Sequence, residues 1–199
     1  MNREEATQAL ALLKSVVSQA RDDTALQNWG VIWLVHAFTN GAAFSATQLL
    51  LWRGYGVRWP FILLWSGTLV VNIGLIFLLK ARRAGAKTFI ENQIWSIWLS
   101  FILAVMATAL VNDLLGLKLL MLGPVIAILA AFGFSMMGAI MGRRWYLGTL
   151  IFGGSSLLMA ALPRYQYLIL GGVWCGAQLI GGVWLEIDKR RRGKTPHLV

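Results

Sequence analysis

Residues Trp29–Trp52 read WGVIWLVHAFTNGAAFSATQLLLW. The run carries no Asp, Glu, Lys or Arg. As a helix rising about 1.5 Å per residue it is longer than the roughly 30 Å hydrocarbon core of a bilayer. Hydrocarbon leaves no partner for a free backbone N–H or C=O, so such a run spans as a helix or as part of a closed barrel. Period-two alternation is absent and the run is far longer than a barrel strand, which selects the helix.

Working outward, five further runs of the same kind follow, at about 59–79, 94–111, 117–141, 145–162 and 165–187. Composition agrees: of 199 residues, 58% are apolar and 13% charged, outside the range of soluble globular domains and opposite to that of disordered chains. Mean hydropathy is +0.66. The expected fold is an all-α integral membrane protein, a six-transmembrane-helix bundle over 29–187. An N-terminal cytoplasmic amphipathic helix occupies 1–28 and a basic tail 188–199. Gly123-Pro124 leaves two readings of the fourth run, a helix kinked at Pro124 or one that starts there.

The formal charge of +10 is distributed unevenly. Arg3, Lys14, Arg21, Lys80, Arg82, Arg83, Lys87, Arg143, Arg144, Lys189, Arg190, Arg191, Arg192 and Lys194 fall on one side of a six-span chain; Arg53, Arg58, Lys118 and Arg164 fall on the other. Basic residues favour the cytoplasmic side, so both termini are expected there, in a bacterial inner membrane. The charge serves topology, and no nucleic-acid partner is expected, because no aromatic–basic reading surface accompanies it. A single cysteine, Cys175, removes any intramolecular disulfide or cysteine metal cluster. Met1–Gln27 has no apolar core ahead of a small-residue cleavage site and is not read as a secretory signal.

Ala6, Leu10, Leu13, Val17, Ala20 and Thr24 recur at spacings of four and three, the seam of an amphipathic helix, and Thr24-x-x-Gln27 fits a capping box. Leu10, Leu13 and Val17, with Arg190, Arg191 and Arg192 of the tail and the 80–93 loop, are the expected contacts to a partner or to lipid. Trp29, Trp52, Trp59, Trp145, Tyr165 and Trp184 stand near run ends, where amphipathic rings anchor at the headgroups. Trp33, Trp65, Trp95, Trp98 and Trp174 lie deeper and are expected to pack.

Polar side chains are costly in hydrocarbon, so their placement is informative. Trp29, Trp33, His36, Asn40, Ala43 and Thr47 share one face of the first run, with Gly41, Ser45 and Gln48 roughly opposite. The third run sets Gln93, Ser96, Ser100, Ala104, Ala107 and Thr108 against a lipid-like face of Trp95, Trp98 and Ile102. The sixth aligns Gly171, Cys175, Gln178 and Gly182, beside Gly172-x-x-x-Gly176; the fourth supplies Gly138-x-x-x-Gly142. Small residues let helices approach, so Gly41, Ser45, Gly138, Gly142, Gly171, Gly172, Gly176 and Gly182 are expected at helix contacts.

The functional counterpart is an intramembrane polar pocket of His36, Asn40, Asn72, Gln93 and Gln178. No charged residue lies in the middle of any run, which argues against ion-coupled transport. No H-E-x-x-H, Gly-x-Ser-x-Gly or phosphate-cradling loop is present, and catalytic residues are not assigned. The leading expectation is a non-catalytic membrane subunit or accessory of a larger complex, with other subunits or a second copy as partner. The alternative is a bundle that binds or transports a small neutral solute. A third reading makes His36 a lone axial ligand of haem or a chlorophyll-type pigment; otherwise no cofactor or metal is expected.

Overall fold

The computed structural model describes residues 7–12, 29–55, 58–80, 89–116 and 122–192. Among these the chain is all-helical, without strands. Six long helices follow in order: α1 Trp29–Trp52, α2 Trp59–Lys80, α3 Phe89–Leu114, α4 Leu122–Met141, α5 Tyr146–Ala161 and α6 Gln166–Arg192. Short 3₁₀ turns, Arg143–Trp145 and Pro163–Tyr165, lead into α5 and α6. Among the described residues four segments are long and apolar enough to cross a membrane: Trp59–Leu79, Glu91–Leu114, Leu122–Met141 and Pro163–Arg191. α1 has 24 residues but is diluted by His36, Thr39, Asn40 and Gln48, whereas α5 is apolar and has only 16.

Gly123-Pro124 falls in the first turn of α4, where the missing proline N–H has no helical acceptor to lose. The helix therefore begins at Leu122; residues 117–121 lie outside the described residues. α1 ends on Gly54 at φ +75°: the Gly54 N–H donates to the Leu51 carbonyl (3.1 Å) and the Tyr55 N–H to that of Leu50 (3.1 Å), the paired bonds of a Schellman cap. Gly142, just past α4, has φ +111°, and its N–H donates to the Gly138 carbonyl at 3.0 Å. It closes a helix rather than packing one, and no atom lies within 4 Å of where its Cβ would be.

α1 and α6 form the main axis of the bundle and run antiparallel. A Cβ on Gly182 would meet the Gly30 carbonyl oxygen and Leu34 Cγ at 2.9 Å; one on Gly181 would meet Trp33 at 2.5 Å. Further along, a Cβ on Gly171 would lie 2.8 Å from Phe44 Cβ, and one on Gly41 would lie 3.6 Å from Cys175. Residue numbers across this seam fall on one helix as they rise on the other, so contact continues along the length of α1. α4 and α5 make a second antiparallel pair, with the Tyr146 ring against Gly138 and Phe134 against Gly148. Gly172 and Gly176 meet nothing within 4 Å, and Ser45 is exposed, so these three make no close approach among the described residues.

Aromatic rings fill the core. Trp174 of α6 lies 5.4 Å from both Phe101 and Phe152 and 6.2 Å from Phe44 and Trp98, joining α1, α3 and α5. Phe134 of α4 meets Trp98, Trp145 and Phe152 at 5.4, 6.4 and 5.2 Å. Trp29 and Trp145 are not interfacial anchors as expected: both are buried, Trp145 edge-on to Trp33 at 5.5 Å. Trp59, 68% exposed, and Trp52 remain at the surface.

α3 is turned opposite to the expected way. Trp95 packs on Trp29 (4.8 Å) and Trp98 enters the core, while Ser96, Ser100 and Ala107 are exposed. Ile102 alone of the expected lipid face is exposed. The Ser96 hydroxyl donates to the Asn92 carbonyl (3.0 Å) and the Thr108 hydroxyl to that of Ala104 (2.7 Å). Hydroxyls satisfied within their own helix exert little inward pull, and the large rings take the core instead.

Candidate functional site

α2 is little buried in the protein, Phe61 being its one buried residue among those described, and polar side chains hold it. The anchor is a hydrogen-bonded chain across three helices. Thr39 Oγ1 of α1 donates to Asn72 Oδ1 of α2 at 2.5 Å, and Asn72 Nδ2 donates to Asn40 Oδ1 at 2.9 Å. Asn40 Nδ2 then donates to Gln178 Oε1 of α6 at 3.5 Å, the loosest link. His36 Nε2 lies 3.4 Å from the Asn72 carbonyl, an oxygen that only accepts, so this contact requires the tautomer protonated at Nε2. The structure thus brings together His36, Asn40, Asn72 and Gln178 and adds Thr39, whose hydroxyl also reaches its own helix at the Val35 and His36 carbonyls (3.4 and 3.3 Å).

Gln93 is not part of this group. It sits in the second turn of α3, two residues before Trp95, which packs on Trp29 at the start of α1. That level is about 10 Å along α1 from His36 and about 16 Å from Asn40. A second link ties α2 near the other end, where Trp65 Nε1 donates to Thr47 Oγ1 at 3.2 Å and its ring meets Phe44 at 4.8 Å.

Two amides share one bond and spend their other ends on Thr39 and Gln178, so the cluster has the character of a joint. Asn72 uses both its side-chain oxygen and nitrogen, and Asn40 does the same. In hydrocarbon such bonds contribute modestly, about 0.6 kcal/mol each on average. They also fix which face of α2 meets α1.

A different glutamine was not read from the sequence as part of any site. Gln48, 1% exposed, donates from Nε2 to the Arg164 carbonyl at 3.0 Å and accepts the Tyr167 N–H on Oε1 at 3.1 Å. The first N–H groups of a helix lack partners, and here a side-chain amide from α1 supplies one to α6. Trp52 Nε1 donates to the same Arg164 carbonyl at 3.1 Å, so the end of α1 and the start of α6 are bound as a unit. The available signal was burial of a long amide near a span end, which spacing alone does not reveal.

Outside the bundle centre, Arg58 and Asp113 pair at 2.6 Å, joining the start of α2 to the end of α3. Among the described residues no group of three or more His, Cys, Asp or Glu is placed to hold a metal ion. Residues 7–12 are helical with Leu10 exposed, while Leu13, Val17 and the Thr24–Gln27 capping box lie outside the described residues. Glu91–Gln93, expected in a loop, belong to α3; residues 81–88 lie outside the described residues. Arg190 and Arg191 are exposed on α6, and Arg192 ends that helix. No protein-family model, curated protein or solved structure matches this chain.

Proposed function

We propose that this chain is a non-catalytic six-span membrane protein, with both termini on the cytoplasmic side of a bacterial inner membrane. It serves there as a subunit or accessory of a larger complex. The six-span count treats α1 and α5 as spans beside the four apolar ones. α1 has the length, and its polar side chains are matched by α2 and α6. α5 with its leading 3₁₀ turn covers Arg143–Ala161, about 30 Å at about 1.5 and 2.0 Å per residue.

The observation that carries the partner is the outward face of α3. Asn92, Ser96, Ser100 and Ala107 form a small and polar stripe that the described residues do not cover. In membranes, stripes of this type belong to helix–helix interfaces, where small residues allow close approach. α2 adds exposed Ser66 and Gly67. The mutually satisfied amides around Asn72 support a structural role for that cluster, which is why complex membership ranks above solute binding.

The test is to extract the protein in mild detergent and weigh the native particle. The expected particle contains more protein than one 22.0 kDa chain, and Ser100→Leu reduces it to the single chain without lowering thermal stability. A wild-type particle with one chain and no other protein overturns the reading. The solute-binding alternative draws on the loose 3.5 Å link between Asn40 and Gln178, where a small neutral molecule could insert. It requires that candidate solutes raise the melting temperature of the wild type and that His36→Ala with Asn40→Ala abolishes the rise.

A further inference from the structure

We propose that the end of α6 and the turn between α4 and α5 together form a binding site for one anionic phospholipid, its phosphodiester held by arginines and an acyl chain lying along α6. The proposal rests on the orientation given under the proposed function, which puts this end of the bundle at the cytoplasmic leaflet.

The juxtaposition is tertiary. Arg143 and Arg144 stand in the 3₁₀ turn before α5, more than forty residues before the basic end of α6 in sequence. The Arg144 guanidinium lies over the Trp184 ring, 4.2 Å from its centroid, which brings the turn against α6. α6 continues unbroken past Trp184 to Arg192, so Arg191 lies two turns further along the same face. Arg143, Arg144, Arg190 and Arg191 are all exposed. Basic charge from two separate elements therefore converges around one interfacial tryptophan, at a spread of about 10 Å.

The surface below that charge identifies the ligand as an amphiphile. Ile180, Val183 and Ile187 are exposed on α6 at spacings of three and four, and the same side of the helix continues into Arg190 and Arg191. An apolar stripe that ends in arginines matches an acyl chain below a phosphate. A soluble phosphate has no use for the stripe, and a zwitterionic lipid gains less from the charge. Glu186 turns its Oε1 inward, toward Gly30 of α1. Basic pockets at helix ends on the cytoplasmic side are the general form of anionic headgroup sites.

The test titrates the detergent-purified full chain with phosphatidylglycerol or phosphatidylcholine and counts retained lipid by native mass spectrometry. The wild type is expected to retain one phosphatidylglycerol in preference to phosphatidylcholine. Arg143→Gln with Arg190→Gln is expected to weaken retention by roughly 25-fold, about fivefold for each charge. Arg143→Lys with Arg190→Lys keeps it within a few-fold, and the opposite-face pair Arg53→Gln with Arg164→Gln leaves it unchanged. Equal retention of the two lipids, equal loss in the opposite-face pair, or displacement by equimolar glycerol phosphate each overturns the proposal. Thiol labelling of Gly193→Cys in a Cys175→Ser background, from each side of sealed vesicles, reports orientation separately. Labelling from the outside alone overturns the orientation and leaves the lipid result to stand as a site in the other leaflet.

Discussion

Gly182→Ala and Gly176→Ala add the same methyl group to the same helix, and the structure predicts opposite signs. At Gly182 the new carbon meets the Gly30 carbonyl oxygen and Leu34 Cγ, both at 2.9 Å. The first of these is backbone and cannot rotate away, so α1 and α6 must separate. Overpacking of this kind costs about 1–3 kcal/mol, and the better helix propensity of alanine returns about 1 kcal/mol. The net is a loss of about 1 kcal/mol. At Gly176 nothing lies within 4 Å, so only the propensity gain of up to about 1 kcal/mol remains. The two variants should differ by about 2 kcal/mol, which for a chain of this size is roughly 4–8 °C in melting temperature. Thermal unfolding in one detergent, followed by tryptophan fluorescence, measures the difference directly. Equal shifts, or a more stable Gly182→Ala, would refute the close approach of α1 and α6.

Three further outcomes follow from the described contacts. Gln48→Leu strips the Tyr167 N–H of its partner, with an expected loss of about 1–3 kcal/mol and faster amide exchange at Tyr167; unchanged exchange there removes the inter-helix cap. A double-mutant cycle with Asn40→Ala and Asn72→Ala should give a coupling of about 0.6 kcal/mol and below about 1.7; zero coupling means the two amides do not meet in the membrane. In a Cys175→Ser background, a lipid-soluble maleimide in detergent-free membranes of the isolated chain should label Ser100→Cys and spare Ile97→Cys, which is buried; the reverse pattern would restore the inward polar stripe.

Several features were legible because hydrocarbon punishes error uniformly. The helical class and the positions of the apolar runs follow from length and the absence of charge. The stripe Gly171, Cys175, Gln178 and Gly182 lies along α1, where Gly171 and Gly182 admit Phe44 and the Gly30 carbonyl at short range and Gln178 meets Asn40. The rotation of α3 was not legible. A rule that turns polar residues inward presumes they need partners, and Ser96 and Thr108 find theirs within their own helix. The same limit hides Gln48: its value lies in the helix end it meets, more than a hundred residues away. Gly30 escaped notice because no small-x-x-x-small pattern singles it out, although a Cβ there would collide with the Glu186 side chain.

The pairing of α1 with α6 also sets a timetable. Of the six long helices α1 precedes the other five, and its main partner, α6, follows them. Synthesis at about 5–20 residues per second leaves the two roughly 6–23 s apart. Through that interval α1, the one long helix that falls short on apolarity, has α2 for company but no Gln178 for Asn40 and no Tyr167 for Gln48. Under the proposed six-span arrangement, the hold of α1 on the bilayer is therefore completed only once α6 has been made. A chain truncated before α6 lacks the Gln178 partner of Asn40 and the Tyr167 partner of Gln48, and is expected to keep α1 in the membrane less firmly than the full chain.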